Sequence, residues 1–248
     1  MSHTLNERLR RRCPQSWREI TLPEGTRALL LAPHPDDFDA VGVTMRLLHQ
    51  RACSLRVAVA HTGSGVETSY CSPPTLERMR QIREEEQRAS CRFFGLAEKD
   101  LLFMELDNDS DDQPKNCEAN LGILREVVGD ACPDMVFMPH GHDTNSGHRT
   151  MYAMARHLLS EVNRPLTLCL IRDPKTIASR LDLYTPFEKE EAEWKRQLLR
   201  FHESQQQRNL NMRGHGFDDR LLATNESVAR ELDLDAPWAE GFELQIYE

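Results

Sequence analysis

Short apolar runs alternate with longer amphipathic segments along the first half of the chain and somewhat beyond it. A continuous apolar run of this kind is typical of a strand buried on both faces of a parallel sheet. The predicted strands are Ala28–Ala32, Leu55–His61, Leu101–Met104, Met135–Met138 and Leu166–Ile171. The predicted helices between them are about Ala40–Gln50, Leu76–Phe94, Cys117–Gly129 and His148–Leu159. This alternation predicts βαβ units and an α/β fold, with a Rossmann-like, mostly parallel sheet and helices on both faces.

The pattern changes after the fifth predicted strand. Leu181–Leu183 predicts a short strand, and Glu188–Arg208 predicts one long helix. The sequence contains no repeat, low-complexity segment or long linker. We therefore predict a single domain over residues 27–248, with 172–248 as its C-terminal elaboration and 1–26 as an N-terminal arm.

The composition is that of a globular enzyme, with 39% hydrophobic and 29% charged residues among 248. The formal net charge of −9 disfavours nucleic acid as a partner, because a nucleic-acid binder usually carries a basic field. The exception is the basic cluster Arg8–Arg12, which we interpret as a solvated N-terminal arm or helix. No apolar stretch approaches the roughly 20 residues of a membrane span, and no secretory signal is predicted.

Seven cysteines are scattered along the chain, and no two of them form a Cys-x-x-Cys pair. An odd, scattered set is typical of reduced thiols rather than of a disulfide framework or a zinc ribbon. We therefore expect a cytoplasmic protein. The sequence leaves open whether the protein forms a homo-oligomer.

Polar residues follow four of the predicted strands, at or soon after the point where each strand ends. They form the segments His34–Asp37, Thr62–Gly65, Asp107–Asp109 and Pro139–His148. The carboxyl ends of parallel strands share one edge of the sheet, where open α/β folds keep their chemistry. We therefore expect these segments to converge although they are distant in sequence.

The first and fourth of these segments offer the side chains of a catalytic metal site. The candidates are His34, Asp36, Asp37, His140, His142, Asp143 and His148. A catalytic zinc site uses three ligands from histidine and carboxylate and leaves one position for water, whose pKa the metal lowers. One carboxylate then has to stay off the metal to act as the general base.

The spacing within the tetrad His34-Pro35-Asp36-Asp37 favours particular roles. Residues three apart on a turn can curl toward one point, which makes His34 and Asp37 the better ligand pair. The Asp36 side chain then points in a different direction from those of His34 and Asp37, which makes Asp36 the natural general base. The alternatives are a helix N-cap for Asp36 and a hydrogen-bonded histidine without metal for His34.

With these residues the chain resembles the zinc-dependent N-deacetylases of the PIG-L/LmbE-like family. Ala32–Asp37 matches the first hallmark of the family, proline or alanine before His-Pro-Asp-Asp, and Asp143–His148 resembles its second, a D-x-H-x-D-H-like segment. Weaker matches are Arg83–Glu86 with Phe94–Leu96, Lys195 with His202 and Ser204-Gln205, and Trp238–Phe242. The resemblance runs from about residue 27 to residue 243, and only the two hallmarks are chemically specific.

The resemblance implies a reaction and the residues that perform it. It implies a metal held by His34, Asp37 and His148, with Asp36 as the general base. Zinc is the expected ion, although a His-Asp-His site also accommodates other divalent metals. The implied substrate is a small N-acetylated sugar or sugar-like molecule, such as an N-acetylglucosamine derivative, from which hydrolysis releases acetate.

Three further residues lie where family members contact the sugar: Arg83, Asp107 and Asn108. The alternative for Arg83 is an ion-paired helix surface, because Arg80, Arg83, Glu84 and Glu86 can pair at i,i+3 and i,i+4. The alternative for Asp107 and Asn108 is an ordinary turn. We interpret His202, on an otherwise apolar helix face, as structural.

One departure from the family pattern bears on the chemistry. Asn145 stands where many members carry a histidine that stabilises the oxyanion or protonates the leaving amine. Asparagine can donate a hydrogen bond to an oxyanion but cannot deliver a proton at neutral pH. Either Asp36 moves the proton in both directions, or His140 or His142 substitutes from the substrate site. The alternative for these two histidines is a hydrogen bond that stabilises their loop.

Two other functions are compatible with this sequence. One is a metal amidase that acts on a non-sugar N-acyl amine. The other is a sugar-binding module that keeps the fold without turnover, for which Asn145 is the best support. The complete set of His34, Asp36, Asp37 and His148 argues against a binding module, which has little need of it.

Overall fold

The computed structural model describes residues 5–9 and 14–247. Within these residues eight strands form one sheet, and eight α-helices accompany it. The strands are β1 (Gln15–Ser16), β2 (Arg27–Ala32), β3 (Ser54–Ala60), β4 (Leu101–Met104), β5 (Met135–Pro139), β6 (Leu166–Ile171), β7 (Leu183–Phe187) and β8 (Trp238–Tyr247). The helices are α1 (Leu5–Leu9), α2 (Gly42–Gln50), α3 (Leu76–Phe94), α4 (Glu118–Ala131), α5 (Ser146–Ser160), α6 (Lys189–Arg200), α7 (Glu203–Arg213) and α8 (Phe217–Glu231).

The sheet runs in the order β1-β7-β8-β6-β5-β2-β3-β4. The strands from β2 to β6 pair in parallel, whereas β8 is antiparallel to both of its neighbours, β6 and β7. The sheet is therefore mixed and mostly parallel, which confirms the predicted α/β class. The five strands and four helices predicted up to Ile171 are all present, with ends within two residues of those predicted.

The strand β2 shows how the sheet divides the core. Leu30 packs in one apolar layer with Met45 of α2, and Leu31 packs in the opposite layer with Leu124 of α4. Successive residues of a strand point to opposite faces, so one short apolar run serves both layers. Helices therefore cover both faces of the sheet, and the polar loops are left at its edge.

The predicted single helix Glu188–Arg208 is wrong, because the structure has two helices there, α6 and α7, with a two-residue break. Side chains from elsewhere in the chain make the break. The Glu86 carboxylate accepts hydrogen bonds from the Ser204 amide at 2.6 Å and the Ser204 hydroxyl at 2.8 Å. His202 turns onto Asp39, with Nε2 2.5 Å from Oδ2. The bond from the Ser204 amide satisfies a backbone donor at the start of α7, as a cap does.

The predicted strand Leu181–Leu183 is misplaced, because the strand in this region is β7. Asp182 instead uses its carboxylate to accept the Leu244 amide of β8 at 2.9 Å. The sequence pattern did not predict the strand β8. Glu240 and Glu243 interrupt its apolar pattern, yet both are buried.

The N-terminal residues that the structure describes contact the sheet. β1 pairs in parallel with β7, and Trp17 is fully buried in the core. Arg10–Arg12 of the predicted arm lie outside the described residues. The division into an arm, a domain and its elaboration stays a prediction. Over residues 5–9 and 14–247, no helix has the length and apolar character needed to cross a membrane.

Candidate metal centre and active site

His34, Asp37 and His148 meet beside the carboxyl ends of two adjacent strands. His34 and Asp37 lie in the loop after β2, and His148 lies in the first turn of α5, after β5. Asp37 lies between the two rings, with Oδ2 3.5 Å from His34 Nδ1 and Oδ1 3.4 Å from His148 Nε2. Donor atoms of the three residues all lie within 4.8 Å of one another. All three side chains are buried.

The local backbone builds this arrangement. Asp37 Oδ2 accepts the His34 amide at 2.8 Å and closes the loop on itself. Asn145 is the N-cap of α5, and its Oδ1 accepts the His148 amide at 3.2 Å. A side chain at Gly147 would collide with Gln113 and crowd the His34 ring. Glycine at this position therefore allows the start of α5 to approach the tetrad closely.

Each imidazole ring is oriented by a hydrogen bond at its other nitrogen. His148 Nδ1 donates to Asp143 Oδ2 at 3.0 Å, and His34 Nε2 donates to Gln113 Oε1 at 2.9 Å. These bonds turn His148 Nε2 and His34 Nδ1 toward Asp37. In the described part of the chain, His148 Nε2 is buried without a hydrogen-bond partner. An unpartnered buried nitrogen beside a carboxylate and a second imidazole fits the donor set of a divalent metal ion.

Charge reinforces this pairing. Burial by itself would raise the pKa of Asp37, but the neighbouring imidazoles of His148 and His34 favour its carboxylate form and hold that pKa well below its ordinary value. Burial would lower the pKa of His148, yet Asp37 and Asp143 together raise it to about 9. Asp37 is therefore a carboxylate in the neutral range, as a metal ligand has to be.

Asp143, His148 and Asp173 form a second buried group of close donor atoms. Three of the four carboxylate oxygens in this group already accept hydrogen bonds within the fold. Asp143 Oδ1 accepts the Asn145 amide at 2.7 Å and Oδ2 accepts the His148 ring, while Asp173 Oδ1 accepts the Lys175 amide at 2.8 Å. This second group supports His148 and the surrounding loops, and the first group is the better candidate for a metal.

Asp36 stands beside the three candidate ligands and outside their set. Its φ of 130° is a conformation that side chains rarely adopt, at a cost of order 1–3 kcal/mol. Two residues of α3 hold it there. Gln87 Oε1 accepts the Asp36 amide at 3.0 Å, and Arg83 NH2 lies 3.2 Å from Asp36 Oδ2 and donates to the Pro35 carbonyl. Neither α2 nor the 3-10 turn Asp39–Val41 uses Asp36 as its N-cap.

A cavity of about 290 Å³ opens beside Asp36 and Asn145. The rest of its wall comes from Thr144 in the loop after β5, from the loop after β6, from α7 and from the start of α8. Sites for small molecules typically enclose roughly 300–1,000 Å³. The cavity is at the lower end of that range and suits a small polar ligand.

The three residues that were expected to contact a sugar have different surroundings. Arg83 pairs with Glu86, NH1 lying 3.8 Å from Oε2, but it is only 1% exposed and also contacts Asp36, so it does not belong to a solvated helix surface. Asn108 Nδ2 donates to Asp112 Oδ1 at 3.0 Å and braces the loop after β4. Asp107 is exposed in the same loop. None of the three lines the cavity beside Asp36.

His140 and His142 lie in the loop after β5 and do not line this cavity either. His140 Nδ1 accepts the His142 amide at 2.8 Å, and its Nε2 lies 3.3 Å from Glu243 Oε2. The buried His140 ring stacks on Tyr152. Its contacts are those of a residue that stabilises its loop, and the His142 side chain is exposed.

Sequence reasoning missed Gln113, which orients His34. Gln113 Nε2 donates to Ser64 Oγ at 2.6 Å, so one amide joins the loop after β3 to the loop after β2. Its segment follows the third predicted strand and therefore ends at the shared edge of the sheet. This place after a predicted strand is the one sequence signal that could have identified Gln113 as a site residue. His202 and Asp39, both fully buried, pair beneath the tetrad as structural residues.

A family profile described as PIG-L, GlcNAc-PI de-N-acetylase, matches residues 29–159. This range, more than half of the chain, includes Asp36 and the three candidate ligands. No match was found among the curated proteins compared with the chain.

Several solved structures are similar to the chain over about nine tenths of its length. An N,N'-diacetylchitobiose deacetylase from Pyrococcus horikoshii, complexed with an inhibitor, has a TM-score of 0.70 at 16% identity, covering 90% of this chain and 84% of that one. A 4-carboxy-2-hydroxymuconate hydratase from Pseudomonas putida KT2440 has a TM-score of 0.67 at 15% identity, covering 90% and 97%. The zinc-inhibited form of a teicoplanin deacetylase has a TM-score of 0.62 at 14% identity, covering 90% and 99%. At identities of 14–16%, the similarity to these structures shows that the chain shares their fold.

Proposed function

The chain belongs to the PIG-L family, and from this premise we propose that it is a metal-dependent N-deacetylase acting on an N-acetylated sugar or sugar-like molecule. One observation carries the proposal. His34, Asp37 and His148 meet as a buried donor set, and Asp36 stands beside them at the wall of a cavity. A hydrolytic metal site needs both parts, a ligand set and a separate base.

His34, Asp37 and His148 would hold the ion, with zinc as the expected metal. When bound, the ion supplies a Lewis acid that polarises the acyl carbonyl and lowers the pKa of a water. Asp143 and Gln113 keep the two imidazole rings turned toward that position through their hydrogen bonds. Removing such supporting bonds usually weakens a metal site.

Asp36 takes the proton from the attacking water. Its carboxylate lines the cavity, and Arg83 fixes it from the side of α3. The same carboxylate returns the proton to the leaving amine, because Asn145 cannot deliver one and both nitrogens of His140 face partners in the fold. One residue therefore serves as base and then as acid.

Asn145 positions the acyl group. Its Oδ1 is committed to capping α5, which directs the amide nitrogen, a donor, away from the helix. The side chain lines the same cavity as Asp36. A hydrogen bond from this nitrogen stabilises the negative charge that develops on the acyl oxygen.

The test is acetate release from a panel of N-acetyl compounds by the zinc-loaded protein and by the protein stripped with a chelator. Sugars of the N-acetylglucosamine type are compared with N-acyl amines that carry no sugar. We expect release from the sugars alone, and only with metal. Release confined to the non-sugar amines contradicts the substrate class. Stoichiometric zinc without acetate from any compound indicates the binding module instead.

We also propose that the protein works in the cytoplasm. The six cysteines within the described residues are unpaired, and unpaired thiols are typical of a reducing compartment. Mass spectrometry of protein isolated from its native cells without reductant tests this proposal. A disulfide in that material would count against it.

A further inference from the structure

The cavity beside Asp36 has one strongly basic wall. Lys175 lies in the loop after β6, Arg208 and Arg213 lie on α7, and Arg220 lies on α8. We call these four residues the basic wall. They line one small cavity in a chain whose formal net charge is −9. The local charge is therefore opposite to that of the whole chain.

The side chains of the basic wall differ from neighbouring arginines in their ion pairing. Over residues 5–9 and 14–247, none of the four forms an ion pair within 4.0 Å. Other arginines nearby are paired: Arg200 Nε and Arg196 NH1 lie 2.9 and 3.3 Å from Asp218 Oδ2. The chain has 40 acidic residues, so the unpaired state of the wall does not come from a shortage of acids.

The cations of the wall also act on one another. Arg220 is half-buried, and burial lowers its pKa; the positive charges of Arg213 and Arg208 lower it further, although Asp173 and Asp143 act in the opposite direction. Arg208 also lies over the loop after β3, where a side chain in place of Gly65 would collide with its guanidinium. Like charges held close together in a partly buried site are relieved by a bound anion.

We propose that the basic wall binds an anionic group of the substrate, so that the enzyme prefers an N-acetylated sugar or amine bearing a phosphate or a carboxylate. This inference rests on the proposed function and names the substrate class of the same site. Guanidinium groups present paired donors that match both anions. Asp36 and Asn145 line the same cavity. The anion would thus anchor the substrate at the wall while its acetamide lies at the metal and the base.

Four substrates test the proposal by acetate release. They are neutral methyl N-acetylglucosaminide, the 1-phosphate and the 6-phosphate of N-acetylglucosamine, and an N-acetylglucosaminide whose aglycone ends in a carboxylate. The variants are Arg208→Gln and Arg220→Gln. The matched control is Arg230→Gln, an exposed arginine on the same helix as Arg220. Comparison of the phosphate and carboxylate compounds identifies which anion the wall selects.

We expect kcat/KM for at least one anionic substrate to exceed that for the neutral one by about 10- to 100-fold, the range of one or two charge-assisted hydrogen bonds. Each wall variant should raise KM for that substrate about tenfold, a larger increase than the same variant shows with the neutral substrate and than the control shows with either substrate. A second readout needs no turnover. Inorganic phosphate should raise the Tm of the wild type and fail to raise that of the Arg208→Gln/Arg220→Gln double variant.

The outcomes separate this inference from the proposed function. Equal turnover of neutral and anionic substrates, with unchanged KM in the variants, overturns the basic wall as an anion site and leaves the deacetylase proposal standing. No acetate from any substrate, with phosphate still stabilising the wild type and not the double variant, supports the anion site and contradicts the proposed function.

Discussion

One guanidinium nitrogen of Arg83 contacts both the Asp36 carboxylate and the backbone just before it. This nitrogen, NH2, lies 3.2 Å from Asp36 Oδ2 and also donates to the carbonyl of Pro35, the preceding residue. The guanidinium is only 1% exposed. It therefore fixes both the backbone and the carboxylate of Asp36 from α3, as a positioning residue that acts through the base.

Replacing Arg83 should therefore change turnover more than binding. Arg83→Gln is expected to lower kcat by about 100-fold, the effect of a small misplacement of a catalytic group, with KM within a few-fold of the wild type. Steady-state kinetics give both constants, and metal analysis checks that the ion is retained. A variant with raised KM and unaltered kcat would instead make Arg83 a direct contact to the sugar, as the family resemblance implies.

Substitutions of Asp36 and of His34, both in the tetrad, should give two different phenotypes. Asp36→Asn is expected to keep its metal and lose about 100- to 10,000-fold in kcat, the usual contribution of a general base. His34→Ala is expected to lose the metal as well as the activity. Metal content and acetate release are measured on the same preparations. A fully active Asp36→Asn protein would remove the base assignment.

The hydrogen bond from His148 to Asp143 should tune metal affinity. Asp143→Asn is expected to weaken zinc binding by about 10- to 100-fold, because the imidazole loses the carboxylate that orients it. Competition with a chelating dye measures the affinity. Asp173→Asn is the matched control, since Asp173 belongs only to the second donor group. An equal loss in both variants would move the metal to that second group.

Asp112 should make stability depend on pH in the acid range. Burial would raise its pKa, but hydrogen bonds from Arg80, Asn108 and the Gly63 amide hold it below the ordinary value of 3.8. A carboxyl group whose pKa is lower in the folded state contributes stability above its unfolded pKa and loses it as pH falls through the folded pKa. We expect Asp112→Asn to lower the free energy of unfolding at pH 7 by about 1–3 kcal/mol.

Urea unfolding of wild type and Asp112→Asn at pH 7 and again below pH 4 measures this difference. The difference between the two proteins should shrink as the pH falls, because the wild type then protonates Asp112 as well. A difference that stays constant over the range would show that the charge of Asp112 is not what holds the loop.

A buried ion pair joins α6 to the sheet and should be costly to break from one side. Lys195 Nζ lies 2.7 Å from Glu240 Oε1, and both side chains are at most 1% exposed. Lys195→Met leaves the Glu240 charge without its counter-ion and should destabilise the fold by about 3–5 kcal/mol. The double variant Lys195→Met/Glu240→Gln should lose less than the sum of the single variants, which a double-mutant cycle by urea unfolding reveals.

The sequence predicted the parallel strands β2 to β6 closely because all of them except β4 are largely buried. A run such as Leu166–Ile171, buried at all six positions, can be recognised as a strand from its own apolar residues, without knowledge of its neighbours in the sheet. The tetrad and His148 were found for a related reason, since strand ends in such a sheet share one edge. Their short-range spacing and their place after apolar runs are both visible along the chain.

The C-terminal region was harder to predict because distant side chains decide its structure. β8 contains Glu240 and Glu243, whose burial depends on Lys195 and on His140 with Arg180. The break between α6 and α7 depends on a carboxylate of α3, about 118 residues away in sequence. Neither feature leaves a periodic signal. The basic wall was missed likewise, because its arginines meet only when α7 and α8 pack together.

The position of β8 in the sheet bears on the order in which the strands can join it. β8 lies between β6 and β7, and β1 joins the sheet through β7. In the described part of the chain it is also the strand that a ribosome makes last. During synthesis β2 and β5, the strands that precede His34 and His148, can pair as they emerge, whereas α8, which carries Arg220 and packs on β8, has to wait for its support. A nascent chain would thus bring His34 and His148 together before it completes the basic wall.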